Sequence, residues 1–303
     1  MSLLNLPSDG LPNILLTLAA TLQRAKKSLT RTDLLARVAP EGVAHKDGEM
    51  ARQTLNRWLE LGLFEESNES VRLAQPLEPS VSDEIAFLRA VQDAARRCVL
   101  SEVNNPDLWA QRGAKAADLT RSLAWLLAQD VYGFSFGNKE MGDLEAAQIT
   151  DNDSRLMRND TRQNGLKFWA HFLGFVREPG GGEIDPTCAI RESLNRCIAG
   201  GEGMPAADFI RNLADELPVL DGGRWRLAVE ARLERQALPA LAEGQLSTAL
   251  SRALIQFNME GLLIFENRAD VGRSIVLTGR DGVRPDYRYS WVRLREPTRK
   301  KSA

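Results

Sequence analysis

At 303 residues, 43% hydrophobic and 26% charged, the chain has the size and composition of a soluble globular protein of two or three domains. Its net charge of -2 and pI of about 5.9 exclude an all-round nucleic-acid coat. No apolar run approaches the roughly 20 residues that span a bilayer, and the opening MSLLNLPSDG lacks the basic start and apolar core of a secretion signal, so a cytoplasmic protein with no membrane partner is expected.

Ser8-Asp9-Gly10 reads as a turn and cap before a helix from Leu11 to about Arg24, with Ile14, Leu15, Leu18 and Leu22 on its apolar face. Thr30, with Asp33 three residues on, caps a short helix from Arg31 to Val38 that ends at Pro40-Glu41-Gly42. Lys46-Asp47-Gly48 turns into a third helix, in which Leu55, Trp58 and Leu59 share a face and Gly62 sits where a helix closes in a left-handed turn. Leu63-Phe64, a polar tip from Glu66 to Glu69 and Val71-Arg72-Leu73 then read as a hairpin. Helix, helix, helix, hairpin is the order of a winged helix, a variant of the helix-turn-helix.

Pro76, Pro79 and Ser80 mark a linker. Asp83 to Val103 reads as a long helix with Ile85, Leu88, Val91, Ala95, Cys98 and Val99 on one side, stopped by Asn104-Asn105-Pro106. Leu119 to Ala128 is another helix, Tyr132 to Gly137 a loop or short strand, Leu144 to Ile149 a second helix and Thr161 to Leu173 a third. Leu166, Trp169, Gly174, Phe175 and Val176 repeat the spacing of Leu55, Trp58, Gly62, Leu63 and Phe64 with one extra residue before the glycine, and Glu178 to Gly182 suits a hairpin tip.

After Ile184-Asp185-Pro186, helices are expected from Cys188 to Ala199 and from Pro205 to Glu216. A turn at Leu220 to Arg226, a helical insertion from Leu227 to Leu241 and a helix from Leu246 to Glu260 follow. There the pattern returns as Leu254, Phe257, Gly261, Leu262 and Leu263, with Ile264-Phe265, a polar tip from Asn267 to Arg273 and a returning strand from Ser274 to Leu277. Tyr287 to Leu294 alternates as an extra strand. The expected fold is mainly α with small β-hairpins (α+β): three winged-helix-like units in tandem with helical insertions, at 1–78, 79–183 and 184–296, then a basic tail at 297–303. Trp58, Trp169 and Phe257 hold equivalent places and are expected in the core.

Basic charge gathers at one end. From Arg280 onward lie Arg284, Arg288, Arg293, Arg295, Arg299, Lys300 and Lys301 against Asp281, Asp286 and Glu296, which suits a polyanion. In winged helices that bind DNA, the third helix enters the major groove and the wing touches phosphates or the minor groove. The first unit offers Arg52, Gln53, Asn56 and Arg57, but Glu65, Glu66 and Glu69 make its wing acidic, which suits a protein contact or a structural role. In the middle unit Arg155, Arg158, Arg162 and Lys167 lie before and along the helix with Gln163, Asn164 and His171, as phosphate contacts or as a solvated helix face. The last unit offers Arg252, Gln256 and Asn258 on its helix, Arg268 and Arg273 on its wing, and Arg284, Arg288, Arg293, Lys300 and Lys301 beyond. Tyr287, Tyr289 and Trp291, on one face of a strand, either pack or stack on bases.

Motifs for catalysis are lacking. There is no G-x-x-x-x-G-K-S/T, no G-x-G-x-x-G after a strand and no G-x-S-x-G. Asp221 with Glu230 and Arg232 comes nearest to a nuclease set, and helix-surface charge explains the same residues. Cys98, Cys188 and Cys197 form no C-x-x-C pair and read as reduced, buried thiols; with only His45 and His171 beside them, neither a metal nor a cofactor is expected. No enzyme is expected.

Three segments carry a narrower likeness. The opening Leu3 to Pro12 (LLNLPSDGLP), Leu119 to Asp130 (LTRSLAWLLAQD) and Leu246 to Ser251 (LSTALS) resemble the DpdG proteins, encoded in bacterial gene clusters that insert deazapurines into DNA and restrict unmodified DNA. The resemblance implies an accessory subunit of a DNA-modification or phage-defence system, with other subunits as partners, and carries over no catalytic residue. A non-enzymatic subunit that binds double-stranded DNA is therefore expected. The alternative is a winged-helix scaffold for protein–protein assembly without direct DNA contact, in keeping with the acidic first wing and negative net charge.

Overall fold

A computed structural model describes residues 3–4, 10–25, 27–42, 48–78, 81–109, 115–177, 182–234, 236–270, 272–280 and 282–295. In chain order its elements are α1 (Pro12–Ala25), β1 (Leu29–Thr30), α2 (Arg31–Val38), α3 (Glu49–Glu60), β2 (Phe64–Ser67), β3 (Ser70–Leu73), α4 (Glu84–Leu100), α5 (Ala117–Ala128), α6 (Asn138–Gln148) and α7 (Asp160–Phe172). There follow β4 (Val176–Arg177), β5 (Glu183–Ile184), α8 (Thr187–Cys197), β6 (Met204–Pro205), α9 (Ala206–Glu216), α10 (Arg224–Glu230), α11 (Thr248–Met259), β7 (Leu263–Glu266), β8 (Ile275–Gly279), β9 (Gly282–Tyr289) and β10 (Trp291–Leu294). The protein is α+β, mainly helical, and its strands pair antiparallel in small sheets. It divides into two compact units: Met1–Thr120 with Leu156–Leu173, and Arg121–Arg155 with Gly174–Ala303.

In the first unit, α1 buries Leu15, Leu18, Ala19 and Leu22, spaced three and four apart. Thr30 caps α2 by accepting the Asp33 N–H at 3.1 Å, as its position in the sequence predicts. Helix α3 buries Ala51, Leu55 and Trp58 and stops at Gly62, whose φ of +84° a side-chain-bearing residue rarely adopts. The Gly62 N–H bonds the Leu59 carbonyl and the Leu63 N–H reaches back to the Trp58 carbonyl at 3.0 Å, a Schellman closure. The chain then runs into β2 and β3, paired Phe64 to Leu73 through Ser67 to Ser70. Asn68 and Glu69, both with positive φ, make the two-residue turn whose twist suits a hairpin. Strand β1 adds to β3, giving the order β1-β3-β2.

Helix α4 ends at Leu100, short of the expected Val103, and Ile85 at 67% exposed and Val103 at 72% exposed lie outside the core. The core of this unit is instead completed by α7. Its Trp169 packs on Trp58, and the Arg96 guanidinium, 1% exposed, donates to the Leu173 carbonyl at 2.6 Å.

The second unit repeats the order of the first. Helix α8, β6, α9, α11, β7 and β10 follow one another as α1, β1, α2, α3, β2 and β3 do, and the sheet order β6-β10-β7 matches β1-β3-β2. The closure of α11 is also the same: the Gly261 N–H bonds Asn258 and the Leu262 N–H bonds the Phe257 carbonyl at 2.9 Å. Two insertions distinguish it, α10 before α11 and the hairpin β8–β9 between β7 and β10.

Both insertions correct the expectation from sequence. The helix expected from Leu227 to Leu241 is the seven-residue α10, and Leu227 and Leu241 are exposed, so their apolar spacing has no core to bury against. The strand at Ser274 to Leu277 does not return on β7. Strand β8 pairs with β9 and is buried along its whole length, while β7 takes β10, from Leu263 opposite Leu294 to Glu266 opposite Trp291. Alternation marks a strand but does not name its partner.

Candidate nucleic-acid interface

The register of β7 and β10 places Glu266 opposite Trp291, and alternation puts Arg293 on the same face as Trp291, while Val292 points to the core at 0% exposed. Arg268 follows β7 and folds over this face. Its guanidinium lies 4.0 Å from the centre of the Trp291 ring and donates to Glu266 Oε2 at 3.2 Å. Arg293 Nε donates to Glu266 Oε1 at 2.8 Å, so one carboxylate holds two arginines. These two arginines, Arg293 first, keep the Glu266 carboxyl below the usual carboxylate range. The Arg268 backbone is tied in turn, its N–H donating to the buried Ser290 hydroxyl oxygen at 2.8 Å. The indole N–H of Trp291 donates to the Glu202 carbonyl at 3.1 Å.

On α11, Arg252 is half-buried and donates to Glu183 Oε2 at 2.8 Å. The same carboxylate accepts Arg177 Nη2 at 2.6 Å, and Arg177 and then Arg252 hold it below the usual range. At the end of that helix Arg191 donates to Glu260 at 2.7 Å. Three of the sequence-derived candidates, Arg252, Arg268 and Arg293, are therefore matched to carboxylates. Arg268 meets a near neighbour in Glu266, but nothing local announces the other two partners: Glu183 lies 69 residues from Arg252, and Glu266 is 27 residues from Arg293.

Arg273 on the β7–β8 connection and Arg288 on β9, opposite Val276, are exposed and have no carboxylate partner among the described residues. Arg280, at the end of β8, is the same. Arg284 lies in β9, but its side chain falls outside the described structure, as do Lys300 and Lys301 entirely.

The earlier candidates are divided. Arg155 braces the chain after α6, donating through Nε to the Ile149 carbonyl at 2.7 Å and through Nη2 to that of Thr150 at 3.3 Å. Arg158 is exposed just before α7, and Arg162 and Lys167 are half-buried on it. Gln163, read as a donor on that helix, is buried and gives its amide to the Met157 carbonyl at 2.8 Å. Nor do the three aromatics form one row. Tyr289 packs at a tilt on Phe265 at 4.9 Å and meets Tyr287 edge-on at 6.5 Å, and Ser290 breaks the strand so that Trp291 meets Arg268 instead. In the first hairpin the acidic residues are partly matched, Glu65 by Arg72 at 2.6 Å and Glu66 by Arg31 at 2.9 Å.

The molecule is thus a mainly helical α+β protein in which one small helix-and-hairpin arrangement occurs twice, the second time with an arginine-bearing insertion. Residues 1–271 match the DpdG-like family, and the chain belongs to it. That membership links it to the deazapurine DNA-modification system. The matched span ends before β8, so Arg273, Arg288 and Arg293 lie beyond it. Neither the curated proteins nor the solved structures gave a match. Among the described residues no helix is long and apolar enough to cross a membrane.

Proposed function

We propose that this chain is a non-enzymatic, cytoplasmic, DNA-binding accessory subunit of a bacterial DNA-modification and phage-defence system, built of winged-helix-like units. The three units are 1–78, 79–183 and 184–296, with the basic tail 297–303 following the last. The observation that carries this reading is the repeated helix, strand, helix, helix, hairpin order. In its second copy the hairpin is extended by β8–β9 and bears exposed Arg273 and Arg288. In this reading α11 approaches the major groove with Arg252, and the extended wing with Arg268, Arg273, Arg284, Arg288 and Arg293 follows the phosphates, aided by Lys300 and Lys301. Arg155, Arg158, Arg162 and Lys167 form the second candidate contact, on the middle unit.

Most of these contacts are to phosphate, so binding is expected to be sequence-independent and to weaken steeply with salt. Fluorescence anisotropy of a labelled duplex across a salt series tests this. Changing Arg252, Arg268 and Arg273 together to alanine is expected to weaken binding and reduce the salt slope. If only Arg158, Arg162 and Lys167 matter, the middle unit is the reader.

A second reading, a scaffold for partner subunits, is favoured by the pairing of Arg252, Arg268 and Arg293 with carboxylates. Absence of duplex binding even at low salt selects it.

A further inference from the structure

The second unit contains a cavity of about 540 Å³ that none of Arg268, Trp291 and Arg293 lines. Its size falls within the range of small-molecule sites. The end of α5, α10 with the residues after it, the start of α11, the end of β8 and the first residue of β9 line it. Arg226 in its wall is 2% exposed. The guanidinium Nη1 donates to the Leu127 carbonyl at 2.8 Å and lies 3.6 Å from Asp221, and Nε donates to Glu230 Oε1. Nη2 has no hydrogen-bond partner among the described residues, and neither does the second carboxylate oxygen of Glu230. Arg226 and Glu230 both line the cavity, so this donor and this acceptor are available to a ligand there.

The remaining wall is mixed. Gln245 donates one amide hydrogen to Thr278 at 3.0 Å and keeps the other, and Leu233 and Leu238 supply apolar surface. Among the described lining residues Asp130, Glu230 and Glu234 outnumber Arg226 and Arg280, which disfavours a phosphate-bearing ligand. A neutral ring suits it better: the open donor of Arg226 meets a carbonyl, the open acceptor of Glu230 meets a ring or exocyclic N–H, and the leucines take the ring faces.

We propose that this cavity binds a planar heterocycle that presents a carbonyl beside N–H donors, the edge of guanine and related lactam-bearing bases. Adenine offers an amino group where the carbonyl is required, so two donors would face each other and the site rejects it. The heterocycle arrives either as a free nucleoside or as a base displaced from a DNA strand; the edge chemistry is the same.

Isothermal titration of the full chain with guanosine, adenosine, oligothymidylate and oligothymidylate carrying one central guanosine tests this. Guanosine or the guanosine-bearing strand is expected to bind, and adenosine and plain oligothymidylate about tenfold more weakly or not at all. Glu230→Gln is expected to weaken binding by a similar factor, about tenfold. Because Glu230 also braces Arg226, Leu238→Trp is the second variant: it fills the cavity from its apolar side and is expected to abolish binding with the melting temperature retained. Binding of guanosine itself identifies a free nucleoside as sufficient; binding of the guanosine-bearing strand alone identifies DNA as the source. Equal binding of adenosine and guanosine, binding that survives Leu238→Trp, or no binding of either guanosine probe overturns the proposal.

Discussion

The indole rings of Trp58 and Trp169 lie 5.9 Å apart at an interplanar angle of 54°, both at least 97% buried. They hold matching places in two stretches of similar spacing, and each serves as the other's packing surface. Trp58 also donates its N–H to the Gly10 carbonyl at 3.1 Å. Either ring changed to alanine is expected to cost about 3–5 kcal/mol. The double variant should cost less than the sum, since both deletions open one shared cavity. Urea denaturation of the two single variants and the double variant checks this; strict additivity would show that the rings are not coupled.

Glu183 holds Arg252 alongside Arg177, and Glu266 holds both Arg268 and Arg293, so three arginines of the proposed DNA contact are tied to carboxylates. A phosphate must compete with these carboxylates. Glu266→Gln and Glu183→Gln are therefore expected to tighten duplex binding and steepen its salt dependence, the reverse of the arginine variants. Unchanged anisotropy titrations for both would remove Arg252, Arg268 and Arg293 from the DNA contact.

The carboxyls of Glu183, Glu260 and Glu266 are all held below their ordinary value of 4.5 by arginine hydrogen bonds. A depressed folded-state value means that the folded protein binds fewer protons there than the unfolded chain. Their contribution to stability is whole above 4.5 and is lost as pH falls through the lower folded values. All three are solvent-exposed pairs, so each contribution is small and screened by salt. Melting temperature measured against pH should fall on the acid side less steeply in Glu183→Gln than in the parent, with no difference in slope near neutrality.

Removal of the carboxylate of Asp221 should be far more damaging. It is buried, accepts both the N–H and the hydroxyl of Ser247 at 2.6 and 2.7 Å, and sits 3.6 Å from Arg226. Asp221→Ala takes the anchor from the start of α11 and leaves a buried guanidinium under-compensated, a loss of about 3–5 kcal/mol. Asp221→Asn keeps one acceptor and should fall between the two in guanidinium denaturation.

The thiols should react at unequal rates. Cys188 is exposed, whereas burial pushes the Cys98 thiol up to about 11 and that of Cys197 up to about 12, with the Glu216 carboxylate adding to the latter. Only the thiolate is nucleophilic, so near pH 8 a disulfide reagent should modify Cys188 quickly and the other two on the timescale of unfolding. Three equally fast thiols would contradict the packing around α4 and α8.

Local periodicity was enough to mark most helices of this chain, because an apolar face at helical spacing and a capping group are properties of neighbouring residues. Thr30 before α2 and the glycines at 62 and 261 are legible in this way, as is the first hairpin, whose partner strands are separated by only Asn68 and Glu69. The likeness to the DpdG-like family was legible too, in short segments spread over the span that matches. Pairing between distant segments was not. β7 takes β10 and β8 takes β9, and the alternation of each strand names neither partner, because pairing is decided between segments and not within one. The charge of the arginine-rich end was visible in the sequence, but its availability was decided in three dimensions. Coulombic and hydrogen-bond partners such as Glu183 and Glu266 are brought to Arg252 and Arg293 by the fold, across separations at which sequence spacing carries no information.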